Sequence, residues 1–578
     1  MLSRLLLAIA TLAALAGSPA RADDAQRFAV ISSGERVGEL QVRRAGHRLT
    51  IDYHIDDNGR GPRTHEVIEL GADGMPLRWH ISGRGETGVA IQESFERSGR
   101  DAHWRTRNDA GDARVEAGSR PLYLAQGASP FAYGLYGKAL RAASGHELAT
   151  LPAGSVRAEP VPAVSLQKPE VARSATVWAL WGTGTSPKLV MLGADGDFLG
   201  VLDTSRLVIP EAWLTQQGEL VNYAAAVDRQ LLLDLSRKLV HRWDVPIHLR
   251  NVHVLDPQTG TVSDARTVVV FRGRISEVMS PDEVTDTDAV TFDGDGGVVV
   301  PALYDMHAHL SAWDAPLYIA AGITTVRDMG NDNSQLLALT SEIDAGRIAG
   351  PRVVASGFLE GRSPYSARDG FVVSSLSEAL RSVQWYGERG YWQIKLYNSI
   401  APEWIAPLAV AAHRLGMRVA GHVPAFTSSE RAIRDGYDEI THLNQLLLSL
   451  MIDTSREDTR TPFRFTALGQ RTATLDLEGR PFQDLLALMK EHHTALDPTA
   501  AILSEMLLGR AGETTPVDAP WIDHMPAPVQ RVRRSAMLEI APSDDARYRQ
   551  SEKRLLAALR VLHEAGIRIL PGTDDAPG

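Results

Sequence analysis

The sequence predicts a mixed α/β protein whose N-terminal part is rich in β-strands, and three observations carry this prediction. Short β-like runs separated by turn residues fill positions 23–115. From Pro301 to the C-terminus, strand-like and helix-like segments alternate. Histidines and an acid follow several of those later strands. Such alternation favours a parallel sheet covered by helices, and its length suits a (β/α)8 TIM-like barrel.

Composition limits the class of protein. The 578 residues are 44% hydrophobic and 23% charged, which is ordinary for a globular protein and too long for a single core. The chain has no cysteine, so disulfides and a lipid-bearing cysteine are excluded. A formal charge of −11 argues against a nucleic-acid partner. A homo-oligomer is compatible with this composition.

Residues 1–22 have the pattern of a secretory signal peptide. Arg4 precedes the apolar run Leu5–Leu15, and Ala20-Arg21-Ala22 fits a cleavage site. The alternative, an uncleaved anchor, is disfavoured because the run is shorter than the roughly 20 residues that span a bilayer. We therefore expect an exported, periplasmic or extracellular protein with no transmembrane segment in the mature chain.

Residues 23–244 are predicted to form a separate β-rich domain of unknown role. A more helical stretch is expected over residues 121–165, and an amphipathic helix over Leu220–His241. The segment Gly83–Gly88 matches the G-x-G-x-x-G pattern of dinucleotide-binding loops. Because the residues after it keep β-like alternation and no helix follows, a hairpin turn is the better interpretation.

The remaining chain is predicted to form two connected parts. Residues 245–300 contain short strands and tight turns that indicate a small β-sandwich. Residues 301–578 carry the barrel pattern, with helices over Gln335–Ala345 and Ser377–Arg389. No final helix follows the last strand-like run, so we expect the 578 residues to be a truncated part of a longer protein. If the protein itself ended there, Asp574 would lie on a frayed end.

Two candidate ligand groups lie in strand-like runs. His307 and His309 stand two residues apart, which places both imidazoles on one side of a strand, although a buried structural pair has the same spacing. Lys395 lies inside the apolar run 391–397, where burial would lower its pKa. A neutral amine can react with carbon dioxide to give a carbamate that binds two cations. The alternative is a lysine that reaches solvent at the strand end.

Three further candidates follow later strands. His422, His442 and Asp574 each lie at the C-terminal end of a strand-like run. Together with His307, His309 and Lys395, they give six potential ligands at the C-terminal ends of five strands. Barrel enzymes build their sites on that face.

This pattern resembles the amidohydrolase superfamily over residues 245–578, and more narrowly its imidazolonepropionase-like and Xaa-Pro dipeptidase-like branch. The resemblance implies that His307, His309 and Asp574 hold one divalent metal, that His422 and His442 hold a second, and that carboxylated Lys395 bridges them. Zinc is the usual occupant of such nitrogen and oxygen ligands, with manganese, cobalt or iron as alternatives.

The resemblance also implies a reaction. A metal-bridging hydroxide would hydrolyse an amide, that is, a C–N bond outside saccharides. The substrate would be a small peptide or an acylated amino acid, so the enzyme could be a dipeptidase. Asp574 would move the proton. Tyr397 would either donate to the developing oxyanion or pack in the core.

Other polar residues have weaker patterns. Glu360, Arg362 and Asn444 could reach a substrate, although a solvated loop position is the better interpretation for each of them taken singly. His492 and His493 precede a predicted strand and are interpreted as surface residues or as supports of the ligands.

Two other functions stay open. A mononuclear-metal deaminase, or a hydrolase of cyclic amides or lactones, would use the same fold. Deaminases generally place a glutamate three residues after the fifth-strand histidine, and that position holds Ala425, which favours amide hydrolysis. A non-catalytic envelope binding protein is disfavoured because all six ligand positions are retained.

Overall fold

The structure is a computed structural model that describes residues 25–162, 175–283 and 288–575. The predicted signal peptide, residues 1–22, lies outside the described residues. None of the helices in those three ranges combines the length and the apolar composition needed to cross a bilayer.

The N-terminal part is one fifteen-stranded sheet, in the order β8-β7-β6-β5-β4-β3-β2-β1-β15-β14-β13-β12-β11-β10-β9. Neighbouring strands are antiparallel, except the parallel pair β9 and β10. The strands are β1 Gln26–Ser32, β2 Glu35–Ala45, β3 Arg48–Ile55, β4 Arg63–Leu70, β5 Pro76–Arg84, β6 Ala90–Ser98, β7 Asp101–Arg105, β8 Ala110–Arg114, β9 Leu122–Tyr123, β10 Glu147–Leu151, β11 Ser155–Pro160, β12 Thr176–Trp181, β13 Lys188–Leu192, β14 Phe198–Leu202 and β15 Arg206–Pro210.

Within the residues that the structure describes, two helices cover this N-terminal sheet. Helix α1, Phe131–Ala142, packs with Trp79 and Phe198 in one core. Helix α2, Gln217–Leu239, buries Leu220 and Ala224 against the other face, which confirms the predicted amphipathic helix. The helical prediction for residues 121–165 holds only for α1, because the rest of that stretch pairs into β9, β10 and β11.

The glycine-rich segment 83–88 is a hairpin turn, as predicted. It joins β5 to β6, and the Gly85 amide donates to the Val89 carbonyl at 2.8 Å. No helix follows it, so no helix N-terminus faces a phosphate site there.

Residues 247–299 form a six-stranded sheet in which β16 is central. The short strands predicted for this region are present, and their arrangement as a sandwich stays a prediction. Ile275, Val278 and Phe292 are exposed on it. The strands are β16 Ile247–Asp256, β17 Thr261–Val262, β18 Arg266–Phe271, β19 Arg274–Met279, β20 Val290–Asp293 and β21 Val298–Val299.

A curled parallel sheet with helices between its strands follows. The strands are β22 Leu303–Ala308, β23 Ile323–Asp328, β24 Arg352–Gly361, β25 Phe371–Val373, β26 Gln393–Leu396, β27 Arg418–Gly421, β28 Glu439–Thr441 and β29 Ala495–Asp497. The helices are α3 Asp314–Ala320, α4 Asn333–Asp344, α5 Leu376–Glu388, α6 Ile405–Arg414, α7 Ser429–Arg434, α8 Leu443–Leu448, α9 Phe463–Arg471, α10 Arg480–Glu491, α11 Ala500–Leu508, α12 Ala527–Arg533 and α13 Asp545–Glu564.

Helices α4 and α5 confirm the two helices predicted in this part. The Asp332 carboxylate caps α4 by accepting from the amides of Ser334 and Gln335. The Ser375 hydroxyl caps α5 by accepting from the Glu378 amide. Such caps satisfy amides that the first helical turn leaves without partners.

Backbone hydrogen bonds continue around the curled sheet beyond its regular ladders. Strands β22, β23, β24, β26 and β27 pair in that order, and β28 pairs with β29. The Asp438 amide donates to the Val419 carbonyl at 2.9 Å, and Leu496 donates to Arg568 at 2.9 Å. Residues 567–574 then return to β22, where Met306 donates to Pro571 at 3.0 Å and Asp574 to His307 at 3.0 Å.

Candidate metal centre

The six predicted ligands lie at the same end of the curled sheet. They are His307 near the end of β22, His309 just after it, Lys395 in β26, His422 after β27, His442 after β28, and Asp574 in the returning segment. Parallel strands present their C-terminal ends at one edge, which explains why residues so far apart in sequence meet.

Short distances connect the cluster. His307 Nε2 lies 3.1 Å from Lys395 Nζ and 3.5 Å from the Asp574 carboxylate. His309 Nε2 lies 3.5 Å and His442 Nδ1 3.8 Å from the same carboxylate. One ligand atom each from His307, His442 and Asp574 falls within 4.8 Å of the others. The rings of His422 and His442 are 4.5 Å apart.

All four imidazoles are held through the same ring nitrogen. His307 Nδ1 lies 2.7 Å from Asp497 Oδ2, and His309 Nδ1 lies 2.7 Å from the Gly330 carbonyl. His422 Nδ1 lies 2.8 Å from Asn398 Oδ1, and His442 Nδ1 lies 2.8 Å from Thr499 Oγ1. A partner on Nδ1 fixes the ring and leaves Nε2 for a ligand. This donor set fits divalent cations that prefer nitrogen and oxygen ligands.

Lys395 is a buried amine without an acidic partner. It is 1% exposed, and its one hydrogen-bonding contact is His307 Nε2. Within the described residues, no carboxylate lies at ion-pair distance from it. Burial lowers its pKa, against the opposing effect of nearby acids, chiefly Asp574. The lower pKa makes the neutral amine more accessible than in an exposed lysine.

Burial also sets the charges of the other candidate ligands. It holds the pKa of His307, His422 and His442 well below the usual value, so these rings favour the neutral form that binds metals. Burial raises the pKa of Asp574, but the nearby histidines, first of all His307, outweigh it and hold that pKa low. His309 opens to the cavity, with 40% of its side chain exposed.

The backbone is unusual at two candidate ligands. His442 has φ of 68° and Asp574 has φ of 57°. Residues other than glycine adopt positive φ infrequently, and such residues concentrate at functional sites. The two side chains reach the cluster because the chain turns sharply where each strand ends.

Tyr397 lies beside the cluster and lines a cavity of about 730 Å³. Its ring is 4.1 Å from that of His422 and 4.9 Å from that of Phe358. Its hydroxyl has no hydrogen-bond partner within the described residues. His309 lines the same cavity, as does Arg60 of the N-terminal sheet. The N-terminal sheet therefore supplies part of the cavity wall.

The weaker candidates divide into buried and exposed residues. Glu360 is 0% exposed, accepts from the amides of Gly361 and Ser399 through Oε1, and has no partner on Oε2. Asn444 is 3% exposed. The solvated interpretation is therefore wrong for both, and it holds for Arg362, which is exposed. His492 and His493 are exposed, as predicted for surface residues.

Sequence reasoning missed the residues that orient the imidazoles. Asp497, Asn398 and Thr499 each follow or end a strand, the one signal that could have indicated them. Behind Asp497 lies a buried ion pair, in which Arg327 donates to both Glu439 oxygens at 2.6 Å. Arg327 also lies 3.3 Å from Asp497.

No protein-family model matches the sequence, and no curated protein matches it. Solved structures match part of the chain. Bottromycin amidohydrolase is 22% identical, over 60% of this chain and 74% of its own, with a TM-score of 0.42. A Xaa-Pro dipeptidase with bound methionine in the active site is 19% identical over 57% and 79%, with a TM-score of 0.38. Ochratoxinase of A. niger is 16% identical over 58% and 74%, with a TM-score of 0.37. Part of this chain is thus similar to an amidohydrolase and to a Xaa-Pro dipeptidase.

Proposed function

We propose that this protein is a metal-dependent hydrolase of the amidohydrolase superfamily that cleaves an amide bond. The observation that carries the proposal is the arrangement of the imidazoles. Four histidine rings, each held through Nδ1, gather at one sheet end with a buried lysine and an aspartate. A structural cluster would need no such uniform orientation, whereas a metal centre does.

Two divalent cations are proposed here, zinc first, with manganese, cobalt or iron as alternatives. His307, His309 and Asp574 would hold one, and His422 and His442 the other. The Lys395 amine would add to the carbon of carbon dioxide and release one proton, which gives a carbamate that binds both. Bound cations would supply an activated water and a Lewis acid for the carbonyl.

The protein's own groups complete the chemistry. Asp574 is held in the carboxylate form by the nearby histidines. In the proposed reaction it would accept a proton from the water and return it to the leaving amine. Tyr397 has a hydroxyl free to donate to the carbonyl oxygen as charge develops there. The cavity volume of about 730 Å³ falls among those of small-molecule sites and suits a short peptide or an acylated amino acid.

The scaffold proposed for this site is a (β/α)8 barrel within residues 301–578. The returning segment 567–574 would serve as the eighth strand, supported by its hydrogen bonds to both Leu496 and β22. Residues 23–244 and 245–300 would form the preceding β-rich domain and the small β-part of the hydrolase module.

Metal analysis tests the proposed function. The protein, expressed with bicarbonate, is expected to bind about two metals per chain. Lys395→Ala and His307→Ala should each lower that number, while His492→Ala, which changes an exposed histidine outside the cluster, should not. Dipeptides and N-acyl amino acids are then screened for release of the amine. About one metal per chain, unaffected by Lys395→Ala, would favour a mononuclear enzyme. If the protein bound no metal, the non-catalytic binding protein would become the preferred alternative.

Export is proposed from the sequence of residues 1–22 alone. Expression of the full chain with fractionation of the cells, followed by N-terminal sequencing of the product, tests it. A mature chain that begins near Asp23 is the expected result, and an uncleaved chain in the cytoplasm would contradict it.

A further inference from the structure

The N-terminal sheet presents a rigid hairpin tip to the cavity beside the candidate metal centre. Asp57 and Arg60 form an antiparallel bridge, with hydrogen bonds of 2.7 and 3.0 Å between their backbones. Asn58 and Gly59 lie between them with φ of 49° and 74°. Asn-Gly with two positive φ angles matches the tight two-residue hairpin turn. Arg60 follows this turn directly, so the turn fixes the position of its backbone.

The hairpin tip is fixed to the loop that follows β24. Arg368 of that loop pairs with Asp57, and its Nε lies 3.1 Å from Glu35. A methyl group on Gly59 would lie 2.6 Å from the Tyr365 ring, so the turn packs directly on that ring. These contacts hold Arg60 in the cavity wall with His309 and Tyr397.

Arg60 is the unpaired base of this cavity, within the ranges that the structure describes. Lys188 and Arg229 also line the cavity. Lys188 pairs with Asp203 at 3.9 Å, and Arg229 pairs with Glu342 at 2.6 Å. The Nε of Arg60 donates to Asn58 Oδ1 at 2.9 Å, and no carboxylate lies at ion-pair distance. Its terminal nitrogens are therefore available to a ligand.

The charge of Arg60 is not neutralised by direct contact with the wall. Asp369 lines the same cavity and also lacks an ion pair, but it does not lie at ion-pair distance from Arg60.

We propose that Arg60 binds a carboxylate of the substrate, so that the N-terminal sheet selects amides that carry a free carboxylate. An arginine side chain offers two parallel donors that match a carboxylate. The substrate class is then a peptide or an N-acyl amino acid with an unblocked C-terminus. This inference rests on the proposed hydrolase function.

The test compares acids with their neutral counterparts. The metal-loaded full chain is assayed for acetate release from a panel of N-acetyl amino acids and from the matching carboxamides. We expect the wild type to prefer the acids. Arg60→Met should raise KM for the acids at least about tenfold and leave the carboxamides unchanged, because one charge-assisted contact is lost. Arg60→Lys should restore part of the affinity.

Arg48→Met serves as the matched control, since Arg48 is an exposed arginine of β3. Equal rates with acids and carboxamides, or equal losses on both in Arg60→Met, would overturn the carboxylate site and leave the hydrolase intact. If no member of the panel is cleaved, the proposed function fails for this class. Calorimetric binding of the N-acetyl amino acids to the wild type and to Arg60→Met then decides the inference, since unchanged binding would overturn it.

Discussion

Asp497 Oδ2 lies 2.7 Å from His307 Nδ1, and this contact directs the opposite nitrogen of the ring toward Lys395 and Asp574. Both residues are 0% exposed. Arg327 and Glu439 extend the contact into a buried chain of charges. The position of one candidate ligand therefore depends on residues that never reach the cavity.

Asp497→Asn tests that dependence. The amide can still occupy the space but can no longer supply the negative charge, so the affinity for metal should fall about 10- to 100-fold. Titration of the metal-free protein with zinc measures the change. Asp484→Asn, an exposed acid on α10, is the control. Unchanged zinc affinity in Asp497→Asn would show that Asp497 has no positioning role.

Arg327→Met should destabilise the protein strongly. The change leaves Glu439 buried without its partner, which costs about 3–5 kcal/mol. The double variant Arg327→Met, Glu439→Leu should recover much of that loss, since the carboxylate of Glu439 is removed while Asp497 keeps its contact with His307. Urea unfolding provides the measurement. Arg480→Met, which breaks an exposed pair with Asp484, should cost at most about 1 kcal/mol. A double variant as unstable as the single one would contradict this account.

Glu66 gives the N-terminal sheet a pH-dependent stability. It is 0% exposed, accepts from Trp79 Nε1 at 3.0 Å and from the Ser129 amide at 2.6 Å, and burial raises its pKa to about 7. The folded state thus holds the proton more tightly than the unfolded state, whose pKa is near 4.5. The stabilisation is complete below about pH 4.5 and is lost as the pH rises toward 7.

Glu66→Gln removes this titration. The stability of the wild type relative to Glu66→Gln should therefore decrease by on the order of 2 kcal/mol between pH 4.5 and 8. Urea unfolding at several pH values measures the difference. A difference that stays constant with pH would mean that Glu66 does not titrate in this range.

Gly59→Ala should disturb the hairpin tip. The added methyl group would collide with Tyr365, and alanine disfavours a φ of 74°. We expect a loss of about 1 kcal/mol in stability and a higher KM for acid substrates, with kcat less affected, because Arg60 moves while the metal ligands stay in place. Gly46→Ala, at a positive-φ position with open space around it, is the control for backbone strain. If Gly59→Ala and Gly46→Ala had the same KM, the position of Arg60 would not depend on this turn.

The gathering of the six candidate ligands could be predicted from the sequence because parallel strands bring their C-terminal ends together. That rule needs only the position of each residue in its own strand. It placed His307, Lys395 and Asp574 at one edge, although they lie in segments far apart in the chain.

The supporting residues follow no such rule. His307 meets Asp497 across 190 positions, and His442 meets Thr499 across 57. These contacts depend on how far the sheet curls, which is set by packing over the whole core. Arg60 is a stronger example, because nothing near residue 60 indicates that its hairpin packs on the loop after β24.

In the proposed hydrolase, the same hairpin would separate substrate recognition from bond cleavage along the chain. The candidate metal ligands all lie beyond residue 300, while the base proposed to select the substrate lies at residue 60. A change in the length of one turn would withdraw the guanidinium from the cavity and leave every ligand untouched. In the proposed hydrolase, new substrates would thus become accessible through alterations in the N-terminal sheet, with the candidate metal ligands unchanged.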